Sequence, residues 1–209
     1  MKCSVNVLYE DNHLLIVDKP AGLLTQPSGT SQPSLETKVK TFLKERDNKP
    51  GGVYLHAIHR LDKEVSGIVV FAKTQKALQR MQEALRNNAC TKVYRAQVDS
   101  FPHEEEATLT HFLLKKSHRT SVVHPDTPGA KSATLQYKLV DNALEITLIT
   151  GRYHQIRAQL AAIDCPIIGD SKYGSTTPYQ PYAIALHHHR FVFPHPITKK
   201  LITIISEVE

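Results

Sequence analysis

Cysteine is scarce in this chain, and what there is does not pair. Cys3, Cys90 and Cys165 are odd in number, far apart and in no CxxC arrangement. That excludes a disulfide framework and points to reduced thiols in a cytosolic protein. Long apolar runs are missing too, so nothing is predicted to span a bilayer. Met1 to Asn6 lacks the apolar stretch of a secretory leader, and Glu10 and Asp11 follow soon after. The expected location is the cytoplasm. No internal repeat and no low-complexity tract interrupts the 209 residues, a length that suits one compact domain or two lobes sharing a core. A glycine-rich phosphate loop is also lacking. A kinase reading of His59-Arg60 fails on that ground and on residue order, since the aspartate follows Leu61 instead of preceding it.

What is present is ordinary in bulk and basic in balance. Hydrophobic residues make up 41% and charged residues 22%, as in other soluble globular chains. Twenty-six Lys and Arg against 20 Asp and Glu give a formal charge of +6. A polyanionic partner such as nucleic acid fits that excess, although a mildly basic surface needs no partner.

Val5 to Asp18 predicts a strand pair broken at Glu10-Asp11-Asn12, and Lys19 to Ser34 a loop. Ser34 is placed to cap a helix carrying Leu35, Val39, Phe42 and Leu43, closed by Lys49-Pro50-Gly51-Gly52. A strand over 53–57, a polar loop over 58–67 and a buried strand over 68–72 follow. Thr74 caps a second helix with Leu78, Met81 and Leu85 on one face. Lys92 to Val98 alternates as a strand with Tyr94, Ala96 and Val98 on one side. Strands prevail from Ala107 onward, with turns at 126–129 and 141–142, a helix over 153–163 and a hairpin at 195–198. Helices interspersed irregularly among strands predict the α+β class, not a βαβ repeat.

Two segments concentrate chemistry. His59-Arg60-Leu61-Asp62-Lys63-Glu64-Val65-Ser66-Gly67 joins two predicted core strands, where a rigid scaffold holds catalytic groups; a solvated loop with local ion pairs is the plain alternative. Gly151-Arg152-Tyr153-His154-Gln155-Ile156-Arg157 lies where a strand stops and a helix starts. His154 and Arg157 share a face there, at a helix start that favours anions; a basic turn in water is the alternative.

His59-Arg60-Leu61-Asp62-Lys63 with Ser66-Gly67 resembles the HRLDK-x-TSG signature of the RluA family of RNA pseudouridine synthases. Gly151-Arg152-x-His154-Gln155-Ile156-Arg157 resembles that family's GRTHQIR segment. The resemblance continues in order through Tyr9-Glu10-Asp11, Lys19-Pro20-Ala21-Gly22, Lys92-x-Tyr94-x-Ala96, Pro166-Ile167-x-Gly169-Asp170, and Leu186-His187 with Phe193-x-His195-Pro196. Val65 stands where Thr is usual, Tyr153 where Thr or Ser is usual, and Ala158-Gln159 replaces Val-His. The S4 domain that often precedes the catalytic domain in this family is absent from these 209 residues.

The resemblance implies a single catalytic domain over residues 1–209, with a mixed, mostly antiparallel sheet in two lobes, flanking helices and a central active-site cleft. It implies an isomerase that needs no cofactor and acts on structured RNA, ribosomal RNA first and transfer RNA second. Asp62 would be the essential carboxylate, either attacking C1′ of the ribose or removing a 2′ proton. An ionised carboxylate in a dry pocket needs a cation, and Arg157 is the candidate for a bidentate contact with it. Tyr94 would stack on the target uracil. Arg60, Lys19, Lys115 and Arg119 are the candidate RNA contacts, the last two from the basic patch Lys115-Lys116-x-His118-Arg119.

Three consecutive histidines, His187 to His189, cannot easily converge on one ion from a strand, so no metal is expected. Nothing demands more than a monomer. The rival classes are a non-catalytic RNA-binding module, which accounts for the charge, and a metal-dependent hydrolase, which rests on the histidine run alone.

Overall fold

The computed structural model describes residues 5–29 and 31–208; Cys3 and the rest of Met1–Ser4 lie outside them. The chain forms two compact units, residues 1–90 with 188–209, and residues 91–187.

In the first unit, strands β1 (Asn6–Glu10) and β2 (Leu14–Lys19) form the expected antiparallel pair, with Val7 opposite Val17 and Glu10 opposite Leu15. Asp11 closes their turn. Its Oδ1 accepts the N–H groups of His13 and Leu14, each at 2.7 Å, as a short carboxylate does in a turn. Strand β3 is only His56–Ala57, shorter than the expected 53–57, and pairs with β4 (Ser66–Ala72). β4 also lies antiparallel to β2, with Ile16 opposite Val70 and Lys19 opposite Gly67. Both strands are almost wholly buried, which is why they read as continuous apolar runs instead of alternating ones. From His188 onward, strand β10 (Leu186–Pro194) belongs to this unit, lies next to β4, and pairs with β11 (Leu201–Ile205).

Helix α1 spans Leu35–Arg46, capped by Ser34 accepting from the Thr37 N–H; helix α2 spans Gln75–Arg86, capped by Thr74 accepting from the Ala77 N–H. Ala77 and Met81 of α2 join Leu14, Ile16, Ile68, Val70, Phe191 and Phe193 in one apolar core.

The second unit is built on five strands that do not pair in sequence order. Strands β5 (Thr91–Ala96), β6 (Glu106–Lys116), β7 (Arg119–Val123), β8 (Lys131–Val140) and β9 (Ala143–Leu148) lie in the order β5-β9-β8-β6-β7, each neighbouring pair antiparallel. β5 ends at Ala96, and Val98 makes only an isolated bridge to Ile167. Helix α3 covers Gln155–Ala161, starting later than the sequence suggested because His154 has a left-handed backbone, φ +50°. A short 3₁₀ turn, Ser171–Tyr173, follows. Leu113, Ala133, Ala158 and Tyr173 form the core between these strands and α3. The mostly antiparallel sheet with interspersed helices is the α+β class expected. Among the described residues, no helix is long and apolar enough to cross a membrane.

Candidate active site

Asp62 sits half-buried between β3 and β4, on a backbone that its neighbours hold from both sides. Before it, the Thr25 hydroxyl donates to the Leu61 carbonyl at 2.9 Å and accepts the Leu61 N–H at 3.1 Å. After it, the Lys63 carbonyl accepts the Gly22 N–H at 2.7 Å and the Lys19 ammonium at 3.2 Å. The Asp62 carbonyl takes the Val65 N–H at 3.2 Å. Leu61 and Val65 are buried, so the aspartate lies between two apolar anchors. Two segments distant in sequence, Lys19-Pro20-Ala21-Gly22 and His59 to Lys63, therefore meet at one loop.

Gly67 ends that loop with φ +109°, and a Cβ there would lie 2.5 Å from the His188 carbonyl oxygen and 2.6 Å from its nitrogen. Only glycine lets β4 approach the neighbouring strand this closely. His59 accepts the Val70 N–H through Nε2 at 3.4 Å and meets the His188 ring edge-on at 5.3 Å.

Lys19 corrects an expectation. It was a candidate RNA contact, yet it is fully buried, and its ammonium donates to the carbonyls of Pro20 (3.0 Å), Leu23 (2.8 Å) and Lys63 (3.2 Å). Three carbonyls match the three donors of an ammonium, which is what makes the burial tolerable. Burial pushes its pKa down to about 8, while the charges of Asp62, Glu64 and Asp18 oppose that drop. Lys19 is thus a cation within electrostatic reach of Asp62. Arg60 is exposed.

In the second unit, Tyr94 is buried on β5 opposite Ile146. Arg157, on α3, is buried as well, and its Nε and Nη2 form a fork on Asp170 at 2.6 and 2.8 Å. The sequence reading had given the bidentate contact to Asp62. The structure puts Asp170 on the Nε edge, so a carboxylate thirteen residues downstream along the chain balances this buried charge. His154 and Arg157 do share a face, with Nη1 at 3.3 Å from His154 Nε2. A guanidinium can only donate, so Nε2 accepts and the neutral ring carries its hydrogen on Nδ1, which faces the Tyr173 hydroxyl at 3.0 Å. That hydroxyl also accepts the Thr120 N–H at 2.9 Å, and burial raises the Tyr173 pKa.

Gln155 splints the helix start: its Oε1 accepts from the Thr150 hydroxyl (2.8 Å) and the Arg152 N–H (2.9 Å), while its Nε2 donates to the Thr134 carbonyl (3.1 Å). Lys115 and Arg119 stand exposed at the β6–β7 hairpin, over the rings of Tyr153 and Tyr173 respectively.

Two of the three consecutive histidines bond backbone carbonyls. His188 Nδ1 donates to the Ile68 carbonyl at 2.7 Å and His189 Nδ1 to the Ser206 carbonyl at 2.8 Å. His195 joins the two ends of the first unit. Its Nδ1 accepts from the N–H groups of Ile197 and Thr198, leaving Nε2–H to donate to Asp11 at 2.8 Å.

Sequence reasoning missed Thr25 and Tyr173 and misjudged Lys19. A lysine directly before Pro-Ala-Gly, at the end of a buried strand, was the available signal for the last; nothing in the sequence marked Thr25.

The RNA pseudouridylate synthase family matches over residues 13–162, and the chain belongs to that family, whose members are isomerases. It is 33% identical over 97% of its length to the ribosomal large subunit pseudouridine synthase C of Buchnera aphidicola, and 32% identical over 95% to an uncharacterized RNA pseudouridine synthase, YhcT, of Bacillus subtilis. It spans 67% of the length of each of these two relatives. The solved structure of human RNA pseudouridylate synthase domain containing 4 shares the fold, with a TM-score of 0.81 over 98% of this chain and 88% of that one, at 21% identity.

Proposed function

We propose that this protein converts uridine to pseudouridine in large-subunit ribosomal RNA, with transfer RNA the second choice, and that Asp62 is the essential carboxylate. The observation that carries the reading is the fixing of Leu61 and Lys63 on either side of Asp62, by Thr25, Gly22 and Lys19. A loop held this tightly aims its carboxylate, and orientation is a large part of what an active site supplies.

In the reaction the N1–C1′ bond breaks, the uracil turns while bound, and C5 bonds to C1′; C5 then loses its proton and N1 gains one. Asp62 starts this as an ionised carboxylate, by attack on C1′ or by removal of the 2′ proton. Tyr94 supplies a ring to stack on the uracil, and Arg157, held by Asp170, supplies fixed positive charge. Because structured RNA hides its uridines, the base is first turned out of its stack, and exposed Arg60 grips the strand it leaves. The enzyme works as a cytoplasmic monomer without a cofactor.

The test is incubation with an unmodified transcript of large-subunit ribosomal RNA, followed by site-by-site mapping of pseudouridine. One or a few discrete uridines are expected to convert. No conversion in that RNA or in unmodified transfer RNA would overturn the reading.

A further inference from the structure

One face of the second unit collects positive charge that no acidic group answers. Arg119 follows the two-residue turn of the β6–β7 hairpin, Lys115 lies on β6 one residue back from that turn, Arg152 precedes α3, and Lys172 lies in the 3₁₀ turn; all four are exposed. Among the described residues none of the four is within ion-pair distance of a carboxylate. Surface cations ordinarily scatter among carboxylates, so an unanswered group of four marks a place for an external anion.

These cations are also held in place. The Lys115 ammonium sits 4.4 Å from the centre of the Tyr153 ring, and Tyr153 is itself stacked on His154 at 3.9 Å. The Arg119 guanidinium lies 5.2 Å from the Tyr173 ring centre. Lys172 donates to the His118 carbonyl at 3.4 Å, and Arg152 Nε to the Ser132 carbonyl at 3.1 Å.

The hairpin that carries the first two is fastened to α3's approach at Thr120. Its hydroxyl donates to the Tyr153 carbonyl at 2.8 Å, and its N–H donates to Tyr173. A cation over a ring or anchored by one N–H keeps its remaining hydrogens turned outward and has less freedom to lose on binding. Tyr153 stands where the family signature usually has Thr or Ser, so the ring that holds Lys115 is a feature of this chain.

We propose that Lys115, Arg119, Arg152 and Lys172 form a seat for the phosphodiester backbone of the RNA substrate, with Tyr153 and Tyr173 holding two of the cations in position. This rests on the reading that RNA is the substrate, and it adds which surface grips it and through which chemical group. Phosphates matched to fixed cations give affinity without reading sequence. The residues of the seat hold the RNA and take no part in bond making.

The experiment compares three full-length proteins for binding to an unmodified large-subunit ribosomal RNA transcript at several salt concentrations. The first is wild type. The second carries Lys115→Gln, Arg119→Gln and Lys172→Gln. The third carries Lys38→Gln, Lys44→Gln and Lys76→Gln, three exposed lysines of α1 and α2 that remove the same net charge elsewhere.

The seat variant is expected to bind about 10- to 100-fold more weakly near 0.1 M salt, with a log–log salt slope shallower by about two to three. The control is expected to change less than about threefold. Tyr153→Leu, which leaves the charge and frees Lys115, is expected to weaken binding about two- to fivefold, as befits loss of one cation–ring contact. Equal affinity and slope for the seat variant and the control would overturn the proposal. The two claims fail separately: seat-dependent binding with no pseudouridine sinks the proposed activity, and full conversion with seat-independent binding sinks the seat.

Discussion

Thr25 and Leu61 hold each other twice, hydroxyl to carbonyl at 2.9 Å and N–H to hydroxyl at 3.1 Å, one residue before Asp62 and 36 positions apart in sequence. Both groups are buried. Thr25→Val keeps the shape and removes both bonds, leaving a buried N–H and C=O without them. A loss of about 1–3 kcal/mol per group is expected, and displacement of Asp62 is expected to lower kcat about 10²-fold. Thr25→Ser is expected to retain most of both. Urea unfolding and single-turnover kinetics on the two variants measure this; equal losses in Val and Ser would deny the hydroxyl its role.

Lys19 gives a pH dependence of known sign. Its folded pKa is about 8 against an ordinary 10.5. Between those values the folded chain has shed a proton that the unfolded chain still binds, so this group makes stability rise with pH across that window. Lys19→Met is expected to flatten the rise seen by urea unfolding between pH 8 and 10. Because Asp62 is the first of the charges opposing the drop, Asp62→Asn is expected to move the Lys19 titration below 8 when followed by NMR of labelled lysine amines. A Lys19 titration that stays put in Asp62→Asn would show that the two groups do not feel each other.

Gly67→Ala places a methyl group 2.5 Å from the His188 carbonyl in a backbone conformation unsuited to alanine. Strain and overpacking of about 1–3 kcal/mol each are expected, enough to lower Tm by several degrees in a chain of this size. A melting temperature within a degree of wild type would mean the strands part at no cost.

The Arg157–Asp170 pair is buried on both sides, at 3% and 1% exposure. Asp170→Ala removes the carboxylate that forks a buried guanidinium and is expected to cost about 3–5 kcal/mol. Arg157→Lys, which keeps the charge and loses the fork, is expected to cost less in stability and more in kcat. Comparing chemical denaturation with turnover for the two variants separates these effects.

Much of this was legible in the residues because it is local. The caps at Ser34 and Thr74, the apolar runs of β2 and β4, and the shared face of His154 and Arg157 follow from spacing alone. What escaped depends on partners distant in sequence. A buried Lys19 and an exposed one look alike until the carbonyls of Leu23 and Lys63 are placed around it. Arg157 advertises the need for an anion without naming it, and the fold supplies Asp170 at the Nε edge. The start of α3 moved because a left-handed His154 is a backbone property that helical periodicity does not see.

The central claim is that Asp62 carries out the chemistry, and Asp62→Asn tests it with the smallest change of shape. Product is measured by mapping pseudouridine in an unmodified large-subunit ribosomal RNA transcript after prolonged incubation, with RNA binding measured on the same protein. The account requires that conversion vanish while affinity for the RNA stays within a few-fold of wild type. Pseudouridine formed by Asp62→Asn at a rate near that of wild type would contradict it.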